Sequence, residues 1–431
     1  MTHSGEVKED GSRSHRTRLR ALLDTCLSIL VVAGISHAEA PAESPHPFTL
    51  ATRCPPSFEL TRDRKCRFRS LYELYSSAQG QGGLRVGLPS LSDGFSPQQI
   101  DLGRLLFFDP LLSGNHQISC AHCHHPDLGF ADGRGRSFVP SKAEGGQAAK
   151  HPAPPLRGAP TLWNVGFLRN LFWDGRAHSL DGQAAGPLHS INEMANTTKH
   201  LERDLNARGT YRRLFAEAFH LNERQPVTAA LVTRALMAFE ATLVSLNSRY
   251  DRYAHGDDNA LTEQERRGYA TFRGIALGCS QCHTPPLFTN DQVEVTGVPN
   301  SPGQPFDPGV GAITNQPALR GAFRTPTLRN IARTAPYMHS GQFATLDEVV
   351  RFYNDRAGHA VPAEEHLHID WRMGLTRPVL SDADVSDLVA FLGALTDETM
   401  TPAVPDRVPS GLHVVGRVKT GPLKATGSSP P

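Results

Sequence analysis

No stretch of this chain approaches the ~20 apolar residues that a membrane-spanning helix needs; the best candidate, residues 26–35, is about half that length. A bundle of membrane helices is therefore excluded. An excess of one charge is also lacking, with 44 Lys and Arg against 43 Asp and Glu. That balance argues against nucleic acid and against an anionic lipid surface as partners. Cysteine is scarce, seven in all, and tryptophan scarcer, with three, so each has to be accounted for. What the chain has in quantity is Gly (38) and Pro (33). They suit turns and long connections between helices better than large sheets, and 431 residues suffice for two or three domains.

The first forty residues resemble a leader. Arg13, Arg16, Arg18 and Arg20 precede the apolar stretch, and Ser36-His37-Ala38 places small residues where a signal peptidase cuts. Export with cleavage after Ala38 is the expectation, and an uncleaved amino-terminal anchor is the competing one; Asp24 suits neither. The mature chain then has no membrane span, and its charges remain balanced. Cys26 leaves with the leader. Cys54 and Cys66 remain as an expected disulfide, because exported proteins meet oxidising conditions.

The other four cysteines fall in two pentapeptides, Cys120-Ala121-His122-Cys123-His124 and Cys279-Ser280-Gln281-Cys282-His283. A Cys-x-x-Cys-His run sets two thiols one turn apart, where each can add to a vinyl group of haem, and the following imidazole then meets the iron. The expectation is two covalently bound c-type haems, with His124 and His283 as proximal ligands. Zinc is the alternative. Ribbon sites place their Cys-x-x-Cys pairs about 15–20 residues apart, far closer than Cys120 and Cys279. Two separate zinc sites would each need ligands that three further cysteines cannot supply. Haem maturation outside the bacterial inner membrane agrees with export, and the expected location is the periplasm.

Helix signals surround both motifs. Ser96 and Pro97 open a segment bearing Ile100, Leu102, Leu105, Leu106 and Phe107, which ends before Asp109-Pro110. Thr262 caps a second, with Tyr269, Ala270 and Phe272, before the second motif. This is a degenerate repeat of helix, loop and Cys-x-x-Cys-His. Residues 228–246 form an amphipathic pattern, as do residues 382–395 after Ser381. Residues 71–75 allow a short helix. The expected fold is mainly α: residues 1–38 as signal peptide, 39–95 as an N-terminal extension, 96–250 and 251–400 as two cytochrome-c-like haem domains with long loops, and 401–431 as a disordered tail.

Between residues 96 and 397 the sequence resembles the bacterial di-haem cytochrome c peroxidase family, including its MauG-type branch. The resemblance rests on residues 120–133 (CAHCHHPDLGFADG), on Leu171-Phe172-Trp173-Asp174-Gly175-Arg176-Ala177, on Gly186-Pro187-Leu188 followed by Asn192-Glu193-Met194, and on residues 323–341 (FRTPTLRNIARTAPYMHSG). It implies that the first haem meets hydrogen peroxide and that the second transfers electrons. Glu193 matches the family's catalytic glutamate, a carboxyl suited to moving a proton from one peroxide oxygen to the other. Gln183, ten residues earlier, matches the distal glutamine, and Trp173 the tryptophan between the haems. Arg176 would pair with Asp174 or a haem propionate.

The resemblance also places Tyr353 opposite His283, fourteen residues after His339, as in the MauG-type pattern; Met338 or Met373 is the alternative ligand. A family calcium would use carbonyls around Thr334-Ala335-Pro336, but Gly158 stands where an Asn ligand is usual. His151 is read as a loop histidine rather than a cap on the first haem. The expected function is a periplasmic di-haem peroxidase that reduces hydrogen peroxide through high-valent iron, fed by a small electron-donor protein. Two alternatives stay open: MauG-type oxidation of a residue on a partner protein, and a non-catalytic di-haem carrier. Glu193 and Gln183 speak against the carrier, Tyr353 for the MauG type.

Overall fold

The computed structural model describes residues 47–69, 88–137, 157–274, 277–299, 304–355, 365–369, 379–397, 399 and 401–415. The leader, residues 71–75, His151 and Met373 lie outside these. No helix among the described residues is long and apolar enough to cross a membrane.

The chain is mainly helical, in the order α1 (Pro97–Phe107), α2 (Leu180–His189), α3 (Thr198–Asn206), α4 (Gly209–Phe219), α5 (Ala229–Glu240), α6 (Arg249–Ala254), α7 (Glu263–Arg273), α8 (Cys279–Cys282), α9 (Gly311–Thr314), α10 (Leu346–Asp355) and α11 (Asp382–Gly393). Two antiparallel strand pairs supplement them, Phe58–Leu60 with Cys66–Phe68 and Val293–Glu294 with Phe323–Arg324. Cys54 and Cys66 are joined by a disulfide. The first pair docks through Phe68, which meets Phe167 edge-on beside Val244, Leu246 and Leu287.

Helix starts follow local chemistry. Ser96 and Gln99 form a capping box for α1, with Pro97 in its first turn. Thr262 with Glu265 does the same for α7, and Ser381 with Asp384 for α11. The amphipathic pattern over residues 228–246 gives a shorter helix than expected, because Asn164 captures the chain beyond it. Asn164 N–H donates to the Leu243 carbonyl, and its side chain holds both backbone groups of Ser245.

Two cores result. One gathers Phe107, Leu111, Phe130, Tyr211, Phe215 and Phe239 from α1, α4, α5 and the loops between them. The other gathers Tyr250, Tyr269, Phe272, Phe288 and Phe391 from α6, α7, α11 and the loop after the second motif. In each, the helix ahead of a Cys-x-x-Cys-His motif is crossed by a later helix at a glycine. A Cβ on Gly103 would lie 1.9 Å from the Ala235 carbonyl oxygen, and one on Gly268 would lie 1.9 Å from that of Asp387. Only glycine lets the backbones approach this closely.

The expected disordered tail needs correction over residues 401–415. Val408 is 1% exposed, and Val404, Leu412, Val414 and Val415 pack against the first core. Ser410 donates its hydroxyl to Asp109 at 2.7 Å, and its N–H reaches the other carboxylate oxygen, which also accepts from Tyr211. Apolar residues separated by Pro and Gly have no period, yet still bury area.

Gly103→Ala and Gly268→Ala are each expected to destabilise the fold by about 1–3 kcal/mol through overpacking. Gly393→Ala, with nothing within 4 Å of the added Cβ, is expected to be neutral or slightly stabilising. Denaturant unfolding of the three variants checks this.

Candidate functional site

Each motif is a tight turn that leads into a half-buried histidine. At the first, the Cys123 N–H donates to the Cys120 carbonyl at 3.1 Å, closing the turn. Burial keeps the His124 imidazole neutral, and its Nδ1 lies 3.0 Å from the Phe130 carbonyl. A carbonyl accepts only from a protonated nitrogen, so Nδ1 carries the hydrogen and Nε2 the lone pair that a metal requires. His283 repeats the arrangement, with Nδ1 3.1 Å from the carbonyls of both Phe288 and Pro326. Burial lowers its pKa to about 4. Burial pushes the Cys279 thiol up to about 12 and that of Cys120 further in the same direction.

Cys120, Cys123 and His124 border a cavity of about 380 Å³, and Cys279, Cys282 and His283 one of about 220 Å³. Thiols one turn apart, a neutral imidazole with its Nε2 lone pair available and an adjoining cavity form a donor set that fits haem at both places.

The distal side of the first cavity comes from α2 and the loop after it. Ser179 caps α2, which carries Gln183 and Pro187. The chain turns at once, with the Glu193 N–H on the Ser190 carbonyl. The loop is tied down: Asn196 Nδ2 donates to the Leu112 carbonyl at 2.9 Å, and the Gly114 N–H to that of Met194 at 2.8 Å. Gln183 and Glu193 thus line the cavity that Cys120, Cys123 and His124 line.

Trp173 borders both cavities. Its Nε1 donates to the Gly158 carbonyl at 2.8 Å, and its own carbonyl accepts from the Arg324 N–H at 2.7 Å. The residues beside it are tied by ion pairs. Arg157 bridges Asp174 and Asp307, and Arg176 pairs with Asp174 while lying over the Phe172 ring. Of the two partners expected for Arg176, the structure has Asp174.

In the second cavity, Tyr353 of α10 and Met338 both line the wall, with His339. Burial raises the Tyr353 phenol, and the neighbouring Cys282 and Cys279 add to the effect. His339 stacks on Phe323 at 4.0 Å between ring centres. At the calcium position Gly158 brings no side-chain oxygen, and its carbonyl already accepts from Trp173. A Cβ there would lie 2.8 Å from the Arg134 carbonyl oxygen, so an Asn at this position would have to displace that backbone. The residues do not fit that ion as the resemblance requires.

Two features escaped the sequence. Glu240 lines the first cavity from α5, and its Oε2 has no hydrogen-bond partner among the described residues. Burial raises its pKa to about 8, so the carboxyl is protonated at neutral pH. The available signal was a Glu on the apolar face of α5, four residues after Leu236. The other feature is Arg329, fully buried, paired to Asp251 and donating to the Pro286 carbonyl. It joins α6 to the two loops whose carbonyls hold His283; in the sequence it is an ordinary Arg in a loop.

Helical fold, paired thiols and two lined cavities define a protein built to hold two haems. Residues 97–259 match the family model described as di-haem cytochrome c peroxidase. The chain is 35% identical over 311 residues to methylamine utilization protein MauG of Methylorubrum extorquens, covering 72% of this chain and 81% of that protein. It is 36% identical over 300 residues to cytochrome c551 peroxidase of Nitrosomonas europaea, covering 69% and 80%. Among solved structures, a MauG-like protein associated with microbial copper homeostasis superposes with a TM-score of 0.65 at 30% identity, over 75% of this chain and 98% of that one. The diheme peroxidase BthA from Burkholderia thailandensis gives 0.59 at 31% identity, over 75% and 91%. The chain belongs to the di-haem cytochrome c peroxidase family that includes MauG, and it is a peroxidase-like oxidoreductase.

Arg329→Met is expected to cost about 3–5 kcal/mol, because it leaves the Asp251 carboxylate buried without its partner. Removing both charges in Arg329→Met/Asp251→Leu is expected to recover part of that loss. Thermal unfolding of the single and double variants measures both.

Proposed function

We propose that this protein is an exported, periplasmic di-haem c-type peroxidase, with haem bound covalently at Cys120 and Cys123 and again at Cys279 and Cys282. Residues 96–250 and 251–400 then form two haem domains behind an N-terminal extension. The observation that carries the reading is that Glu193 and Gln183 line the same cavity as Cys120, Cys123 and His124. When bound, the haem of that cavity supplies the two-electron chemistry that splits hydrogen peroxide.

The chain's own residues do the rest. Glu193 accepts the proton from the peroxide oxygen nearer His124 and returns it to the far oxygen, so that water can leave. Gln183, fixed on α2, hydrogen-bonds the peroxide and orients it. His124 and His283 hold their centres through Nε2, each aligned by a carbonyl on Nδ1. Trp173, bordering both cavities, carries electrons between them. No step runs through calcium.

Tyr353 supports a second reading. A tyrosine side chain enclosed beside Cys279, Cys282 and His283 suits a ligand that favours oxidised iron. Electrons would then come from an oxidisable residue on a partner protein, as in the MauG-type branch, rather than from a small donor cytochrome. Met338 in the same wall is the competing ligand.

Glu193→Gln is expected to slow peroxide consumption roughly a hundredfold with both haems retained; a change within about twofold removes Glu193 from the reaction. Tyr353→Met is expected to alter the low-spin haem signal and raise the potential of the second centre. An unaltered signal in that variant, joined to a shift in Met338→Leu, identifies Met338 as the ligand instead.

A further inference from the structure

Away from both cavities, three side chains with metal-ligating atoms converge on the outer side of the first core. His116 lies in the loop that leads into Cys120, and His200 and Asp204 stand one turn apart on α3. The His116 Nε2 is 2.7 Å from Asp204 Oδ2, and the His200 Nε2 is 3.1 Å from that same oxygen. All three ligand atoms lie within 4.8 Å of one another. The rings are near-parallel, 5.6 Å apart at 28°.

Two imidazoles directed at a single carboxylate oxygen are arranged as metal ligands are. Bonds of 2.0–2.1 Å to one ion put neighbouring ligand atoms roughly 3 Å apart, close to the 2.7 and 3.1 Å that separate the two Nε2 atoms from Oδ2. The surroundings also resemble those of a ligating carboxylate. Arg203 donates to the other oxygen, Oδ1, at 2.9 and 3.0 Å, fixing the carboxylate plane while leaving Oδ2 to face the rings. The His116 backbone sits in the left-handed region, at φ 56°, a conformation uncommon for a non-glycine residue. The histidine side chains are 34% and 20% exposed and that of Asp204 only 9%, so the anion is buried while solvent can fill the open positions.

We infer that His116, His200 and Asp204 form a binding site for one divalent transition ion of borderline softness, with zinc or copper the chemical class that an N₂O donor set takes. Binding requires each Nε2 to present its lone pair, so the proton that each ring shares with Oδ2 moves to Nδ1 or to solvent. The ion clips two segments that matter to the first cavity. The loop holding His116 runs into Cys120, and α3 begins immediately after the loop that carries Glu193.

The test uses the haem-loaded protein, cleared of loosely held metal with a chelator and titrated with Zn²⁺ in a calorimeter. One equivalent is expected to bind. His116→Gln and His200→Gln are each expected to weaken it by more than about tenfold, with unchanged haem spectra showing that the variants fold. Arg203→Gln leaves all three ligands but frees Oδ1, and is expected to keep one equivalent at lower affinity than the parent. With Cu²⁺ as probe, the electron paramagnetic resonance spectrum is expected to show two imidazole nitrogens in the parent and one in either histidine variant. The site is overturned if the parent takes up no zinc at millimolar concentration, if both histidine variants bind as the parent does, or if the copper spectrum is the same in all three.

Discussion

The structure depends on where each motif histidine puts its one proton. Enclosure keeps His124 and His283 neutral, and a neutral imidazole has a single N–H that must find an acceptor. A buried donor left without one costs about 1–3 kcal/mol. The carbonyl of Phe130 meets that need at the first motif, and those of Phe288 and Pro326 at the second. This choice fixes the tautomer, the ring plane and the position of the Nε2 lone pair together.

Much of the surrounding architecture keeps those carbonyls still. Thr161 donates to the Gly129 carbonyl at 2.6 Å, next to Phe130, whose ring is wedged between Phe107 and Trp163. Thr327 does the same at Leu287 and Arg329 at Pro286. The two centres share this proximal plan and then diverge. Gly103 meets the Ala235 carbonyl and Phe239, and Gly268 meets the Asp387 carbonyl and Phe391, so Glu240 and Leu392 are equivalent positions. Both line their cavities. A carboxyl thus stands at the first centre where the second has a leucine, and Gln183 and Glu193 add to the contrast. The internal repeat is symmetric around the paired thiols and their histidines and asymmetric on the walls that Glu240, Gln183 and Glu193 line.

The sequence disclosed what is local. Capping boxes at Ser96, Thr262 and Ser381 mark helix starts because the interaction spans three residues, and Cys-x-x-Cys-His carries its geometry within one turn. It disclosed less where a long-range partner decides the outcome. The end of α5 depends on Asn164, far upstream, and the packing of residues 401–415 depends on Asp109 accepting from Ser410. Glu240 and Arg329 were hidden for the same reason, since a charged residue is ordinarily exposed and only the completed core shows it to be buried. Gln183, Glu193, Trp173 and Tyr353 were found through resemblance rather than through any local rule.

The wall between the cavities shows how one small residue can serve both sides. Trp173 donates to the Gly158 carbonyl, and the Gly158 N–H donates to the carbonyl of His339, which lines the second cavity. Gly158 therefore connects a residue that borders both cavities to one deep in the second. A side chain at this position would strike the Arg134 carbonyl, so the same glycine that removes a calcium ligand lets the wall close tightly. The bridge of Arg157 to Asp174 and Asp307 holds this wall in place. Gly158 thus ties the linings of the two cavities together through direct hydrogen bonds at both its N–H and its carbonyl.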